Sequence, residues 1–202
     1  MTGVLHPAEL RAVFAAFPTG VAAVAAVIGG TPTGLAANSF VSVSLEPPLV
    51  SVCIARTSTT WPALRTAAHL GISVLGDHQE AASRQLGSAD GERFAGLSWR
   101  ATVHGAVLLP ESSAWFDCSI EREIPAGDHD IVLLRVHDLG ATAVMPLVFH
   151  GSRYRRLQAR TGSRGHQGRG NAGRGADGVC ADPAARSARD QHEHDRRYRL
   201  GA

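Results

Sequence analysis

Lysine is absent from this chain: all 20 basic residues are arginine, and with 22 glycines and abundant alanine that bias reflects GC-rich coding rather than chemistry. Cysteine is scarce. Cys53, Cys118 and Cys180 are odd in number, far apart and form no CxxC pair, which excludes both a disulfide frame and a zinc-ligand spacing. Long apolar runs are missing too. The stretch Val21–Ile28 falls far short of the roughly 20 residues a bilayer-spanning helix needs. No basic segment followed by an apolar core and cleavage site opens the chain. The expectation is therefore a cytoplasmic protein with no membrane partner. Neither a GxGxxG nor a Walker motif occurs, which removes both dinucleotide and P-loop fingerprints.

Charge is present but unevenly placed. Residues 1–158 carry 11 Arg against 13 Asp and Glu, a balance of −2, whereas residues 159–202 carry 9 Arg against 5, a balance of +4. The basic character belongs to the end of the chain, and the main body has no nucleic-acid stripe. After Leu157 the sequence turns to Gly, Arg and Ala, with Val179, Tyr198 and Leu200 as its only large apolar residues. Such a segment cannot offset its ordering entropy by burial. We therefore expect a globular domain over 1–158 and a disordered tail over 159–202. The pair His192 and His194 lies in that tail without enough companions for a metal site, so no metal is expected.

The body reads as mainly β with a few helices. Leu10, Val13, Phe14 and Phe17 recur at helical spacing after Pro7, predicting an amphipathic helix stopped by Pro18 and Gly20. A hairpin is predicted around Gly29-Gly30, its second strand running on through Val43 until Pro47-Pro48 break it. The run 49–55 follows as a strand. Thr60 is the expected N-cap of a helix ending at Gly71, and a second helix closes at Gly87. The runs 114–123, 131–140 and 143–151 complete the strands. Many short strands without βα alternation favour a barrel over a doubly wound sheet.

Between Gly34 and Leu64 small hydroxyls recur among apolar strand formers: Ser39, Ser42, Ser44, Ser51, Thr57, Ser58, Thr59 and Thr60. The loop Arg56–Thr60, set before a helix, offers a charge, hydroxyl donors and free N–H groups. That makes either a phosphate cradle or an ordinary capping loop. Alternation along the preceding strand turns Ala37, Ser39, Val41 and Val43 one way and Asn38, Phe40, Ser42 and Ser44 the other. One polar face on a core strand suits the approach of a flat heterocycle; a solvent-facing edge would show the same pattern.

With "FPTGV", "ANSFVSVSLEPPLV", "STTWPAL", "FAGLSW" and "GDH" in that order, the chain resembles the short-chain flavin reductases over about residues 8–157. The similarity is strongest to the reductase components of two-component aromatic and steroid hydroxylases. This resemblance implies an FMN-binding split β-barrel, usually a homodimer. It implies an NAD(P)H:flavin oxidoreductase that takes FMN or FAD with NADH or NADPH. Reduced flavin would pass to a separate monooxygenase.

The resemblance also implies roles for residues. The strand matching Ala36–Ser44 would line the isoalloxazine, with Ala36, Ala37, Asn38, Ser39, Phe40, Ser42, Val43 and Ser44 as contacts. Arg56, Ser58, Thr59 and Thr60 would hold the phosphate. His129 would face the nicotinamide, positioning it or relaying a proton, and Tyr154 would approach the same pocket. Phe94 borders the flavin or adenine, or packs in the core. Two positions depart from the family pattern: Ala36 stands where many relatives carry Thr, and Thr59 where Arg or Ser is frequent. Hydride chemistry would explain why the hydroxyl-rich stretch needs no acid–base pair, because the cofactors carry the reaction. The alternatives are a non-catalytic flavin- or haem-binding split barrel and a cofactor-free β-barrel module.

Overall fold

The computed structural model describes residues 5–88 and 91–158, all within one compact unit. The segment 159–202, expected to be a disordered tail, lies outside the described residues. Seven strands form one antiparallel sheet in the order β3-β2-β6-β9-β10-β5-β4. These are β2 (Ala22–Ile28), β3 (Thr31–Ala37), β4 (Val41–Leu45), β5 (Pro48–Ala55), β6 (Leu70–Val74), β9 (Ala114–Ala126) and β10 (His129–Ala141). A three-stranded sheet joins β1 (Thr19–Gly20), β11 (Leu147–His150) and β12 (Arg153–Arg156), and β7 (Arg100–Ala101) pairs with β8 (Val107–Leu108). The helices are α1 (Pro7–Phe14), α2 (Trp61–Leu64) and α3 (Glu80–Leu86).

The β2–β3 hairpin turns as the sequence predicts, because Gly29 and Gly30 both take the positive φ that such a turn requires. β2 is buried on both faces. Ala22, Val24 and Ala26 point into one cluster with Val52, Leu70, Ile72, Cys118, Val132 and Leu134. Val21 and Ala23 point into a second, with Leu75, Leu86 and Leu147. Period-two alternation thus serves two cores at once, and small alanines let the layers approach. Burying one such leucine contributes about 1.5–3 kcal/mol. At Gly71 on β6 a Cβ would stand 2.0 Å from the Val107 carbonyl oxygen, so only glycine allows β8 to cross there.

The edge strands of the large sheet, β3 and β4, are consecutive in the chain. Only Asn38, Ser39 and Phe40 separate them. Four residue steps span roughly 14 Å at most, so the sheet must curl until its two edges face each other. No ladder joins β3 to β4 among the described residues, and the curled sheet stays open along that line. This is the split of the expected barrel.

Three expectations change. The single strand through Val43 is two strands on opposite edges, because Ser39 bonds to the Cys53 backbone and diverts the chain. The helix expected up to Gly71 stops at Leu64, since β6 already begins at Leu70 and claims the backbone for the sheet. α1 forms as predicted but buries none of its residues, and Phe17 beyond it is 73% exposed.

Candidate functional site

A cleft opens along the split, beside the outer edge of β3. Strand edges present alternate unpaired N–H and C=O groups, and here they meet small side chains. Two lobes share Ala36, Ala37, Asn38 and Gly87. One, of about 280 Å³, lies toward β5 and is bordered by Ser39, Cys53, Ser58, Arg93 and His129. The other, of about 370 Å³, lies toward α3 and β12 and is bordered by Ser83, Arg84, Phe149 and Tyr154.

Each wall has a local cause. Ser39 accepts a hydrogen bond from the Cys53 N–H at 2.9 Å and donates to the Cys53 carbonyl at 3.1 Å. The β4–β5 register, continued two residues beyond Val41↔Ser51, reaches that pair. A side chain therefore replaces the main chain where the ladder ends. Thr60 holds the N-cap position of α2 as the sequence predicts, but the capping bond comes from Ser58, which accepts from the Trp61 N–H at 3.2 Å. Thr60 instead accepts from the guanidinium of Arg93, which also donates to the Gly34 carbonyl at 3.2 Å.

His129 starts β10 opposite Ala55, at the mouth of the first lobe, and its side chain is 43% exposed. Its Nδ1 lies 2.8 Å from Asp128 Oδ1, so Nδ1–H donates to the carboxylate and Nε2 remains the free ring nitrogen. That bond, and then the imidazolium charge, hold the Asp128 carboxyl below its ordinary value. Tyr154 sits on β12. Its hydroxyl is 2.9 Å from Ser83 Oγ, its ring meets Phe149 edge-on, and the Arg84 guanidinium lies 4.8 Å over its face.

The cleft gathers Ala36, Ala37, Asn38, Ser39, Ser58, His129 and Tyr154 from the sequence-derived set. It splits them differently from the expectation. His129 and Tyr154 border separate lobes, because β12 follows β11 toward α3 whereas β10 begins beside β5. The other candidates stand elsewhere. Phe40 packs into the core with its ring centre 5.4 Å from that of Phe116. Ser42, Val43 and Ser44 lie on edge strand β4, outside both lobes. Arg56 donates from Nε to Asp130 at 3.1 Å, and Thr59 is an exposed loop residue. Phe94 lies across β3, against the second core cluster and bordering another cleft.

Sequence reading missed Arg93, the cation that the structure brings to Thr60 and to the lobe that Ser58 borders. It sits 33 residues beyond Thr60 in a loop whose periodicity signals nothing. Sequence reading placed a helix closing at Gly87 but missed that Ser83 and Arg84 of α3, with Gly87 at its end, face the cleft. The walls fit a flat, polar-edged ring. Ala36, Ala37 and Gly87 leave room against the backbone, and Arg93 with Ser58 supplies donors at one end. Among the described residues no group of His, Cys, Asp or Glu is arranged to hold a metal, and no helix is long and apolar enough to cross a membrane.

Comparison with known proteins agrees with this geometry. A family model described as "Flavin reductase like domain" matches residues 14–158. A probable flavin reductase of Rhizobium meliloti is 41% identical over 134 residues, covering 66% of this chain and 43% of the relative. The reductase subunit HsaB of a flavin-dependent monooxygenase from Rhodococcus jostii is 34% identical over 155 residues, covering 76% of this chain and 80% of that one. The chain spans less than half the length of the first of these relatives and most of the second. Among solved structures, the NADH:FAD oxidoreductase SgcE6 of Streptomyces globisporus, in complex with NAD and FAD fragments, superposes with a TM-score of 0.73. It is 34% identical, with 80% of this chain and all of that one covered.

Proposed function

Since the chain belongs to the flavin reductase-like family, we propose that it is an NAD(P)H:flavin oxidoreductase that reduces FMN or FAD for a separate flavin-dependent monooxygenase. The observation that carries this reading is the two-lobed cleft at the split, walled by Ala36–Asn38 and Gly87 and ended by Arg93 and Ser58. When bound, the flavin accepts hydride from the nicotinamide, so the reaction's electrons move between two small molecules.

The chain's own work is then positional. The exposed edge of β3 offers backbone donors and acceptors to a planar ring, and the alanines let that ring lie close. Arg93 and Ser58 hold the phosphate end, with Thr60 fixing the guanidinium from behind. His129, its Nδ1 tied to Asp128, presents Nε2 at the cleft mouth, where it positions the nicotinamide amide or moves a proton. Two stacked rings held in register need no general acid–base pair, and orientation alone can lower such a barrier by several kcal/mol.

A homodimer belongs to the same proposal. The apolar side chains of Leu5, Val13, Phe14 and Phe17 about α1 are unburied, as are Val41, Val43 and Leu45 on β4. Unburied apolar surface on this scale marks an interaction face. Relatives such as HsaB are named as subunits of monooxygenases, which supports a partner oxygenase here. A cytoplasmic location, where reduced nicotinamide is generated, completes the reading.

The test is direct. Purified protein mixed with NADH or NADPH and either FMN or FAD should deplete the nicotinamide absorbance band. No oxidation with any flavin and either nicotinamide would sink the reductase reading, while flavin binding without turnover would favour a storage or sensing protein.

A further inference from the structure

We infer that the flavin is a dinucleotide: the cleft on the far side of Arg93 receives the adenosine half of FAD, so this chain takes FAD in preference to FMN. The inference rests on the flavin reading of the neighbouring lobe. This further cleft, of about 420 Å³, runs between the start of β3 and the 92–95 turn. Its size falls within the range of roughly 300–1,000 Å³ usual for small-molecule sites.

Position carries the inference first. Thr31 and Pro32 border the far cleft, Gly34 holds the Arg93 guanidinium, and Leu35 to Asn38 border the flavin lobe. These stations follow one another along a single strand edge. From Thr31 to Ala36 an extended strand covers roughly 17 Å. Arg93 borders both spaces and stands between them. A cation in the middle with a cleft at either side is the arrangement a pyrophosphate-linked dinucleotide requires. A mononucleotide would end at Arg93.

The chemistry of the far cleft agrees. Phe94 and Pro32 offer flat apolar faces to a purine. Glu92 and Thr31 offer acceptors to ribose hydroxyls or an exocyclic amine, and a carboxylate there disfavours a second phosphate terminus. The wall is built in advance. Gln85 on α3 donates to the Glu92 and Ala95 carbonyls at 3.3 and 2.8 Å, and the Ala95 N–H donates to Glu92 at 3.0 Å. Phe94 is seated on the strand itself, since a Cβ at Gly34 would stand 3.1 Å from its ring. A preformed wall lowers the ordering cost of binding.

NADH also carries an adenosine, so the experiment must separate the two sources. Dissociation constants for FAD and FMN are measured by fluorescence titration of the full chain. AMP serves as a competitor, and Ala95→Trp fills the cleft from an exposed turn position. FAD should bind at least about tenfold more tightly than FMN. AMP should displace FAD but not FMN, and Ala95→Trp should bring the two constants together. Glu92→Gln, which keeps the wall intact, should shift the ratio in the same direction. Equal constants for the two flavins, or a variant that moves both alike, would overturn the inference and leave the reductase reading standing. A rise in the KM for NADH with the flavin ratio intact would also overturn it, assigning the cleft to the nicotinamide's adenosine. Binding of neither flavin would instead remove the reading beneath it.

Discussion

Ser39 and Cys53, 14 residues apart, are joined by a reciprocal pair of bonds in which the serine hydroxyl both accepts from and donates to the cysteine backbone. The two groups it satisfies lie where β4 has left the ladder, so without the hydroxyl they would face the cleft unpaired. One side chain thus ends a strand, sets one border of the split and shapes the floor of the flavin lobe.

Ser39→Ala should therefore cost stability and binding together. Leaving the Cys53 donor and acceptor unmade at a half-buried position destabilises by ~1–3 kcal/mol. A denaturation midpoint lowered by that amount, with flavin affinity weakened in parallel, is the expected result. An unchanged midpoint would show that water replaces the hydroxyl without loss.

Arg93→Met should weaken FMN by roughly 10- to 100-fold, the range expected on losing a charge-assisted hydrogen bond. Riboflavin, which has no phosphate, should bind the variant and the parent alike. Equal losses for both ligands would mean that Arg93 props the loop through Gly34 and Thr60 rather than meeting phosphate.

The Asp128–His129 bond predicts a pH response at the acid end. The Asp128 carboxyl is held below its ordinary 3.8 by the imidazole N–H, so its contribution is present above that value and lost as pH falls through the lowered one. In His129→Ala the carboxyl titration, followed by NMR, should return toward 3.8. The NADH-dependent rate should fall by about 10- to 100-fold if His129 orients the nicotinamide. A full rate in the variant would remove that role.

Cys118 should resist thiol reagents. Burial, and secondarily the Asp117 carboxylate, push its thiol from 9.0 to about 12. Because the folded state keeps its proton where the unfolded state has lost it, stability falls as pH rises between those values, by about 1.4 kcal/mol per pH unit. Peptide mapping after alkylation at mild alkaline pH should find Cys118 unlabelled in the native protein and labelled in urea. Cys53, half-buried on the flavin lobe, should react natively and be protected by FMN or FAD.

Local chemistry made much of the scaffold legible in advance. Gly29 and Gly30 announce the β2–β3 hairpin because few residues other than glycine accept two successive positive φ angles there. The apolar, β-branched runs that became β9 and β10 announce themselves as strands, as the helical spacing of Leu10, Val13 and Phe14 announces α1. The family motifs add the split barrel, because each marks a turn or strand whose shape its own residues dictate.

Tertiary structure alone decided what long-range partners control. That Ser39 spends its hydroxyl on Cys53 is invisible in alternation, which assigns faces but not partners. That α1 keeps Val13 and Phe14 in the open contradicts an apolar stripe whose only local meaning is burial. Arg93 reaches Thr60 across 33 residues, and Arg56, within the loop itself and more conspicuous, is tied to Asp130 instead. Strand identity is written in neighbours one and two residues away. The cleft is made where segments distant in sequence meet, so the residues that border it were settled by the curl of the sheet and by which edge the chain left unpaired.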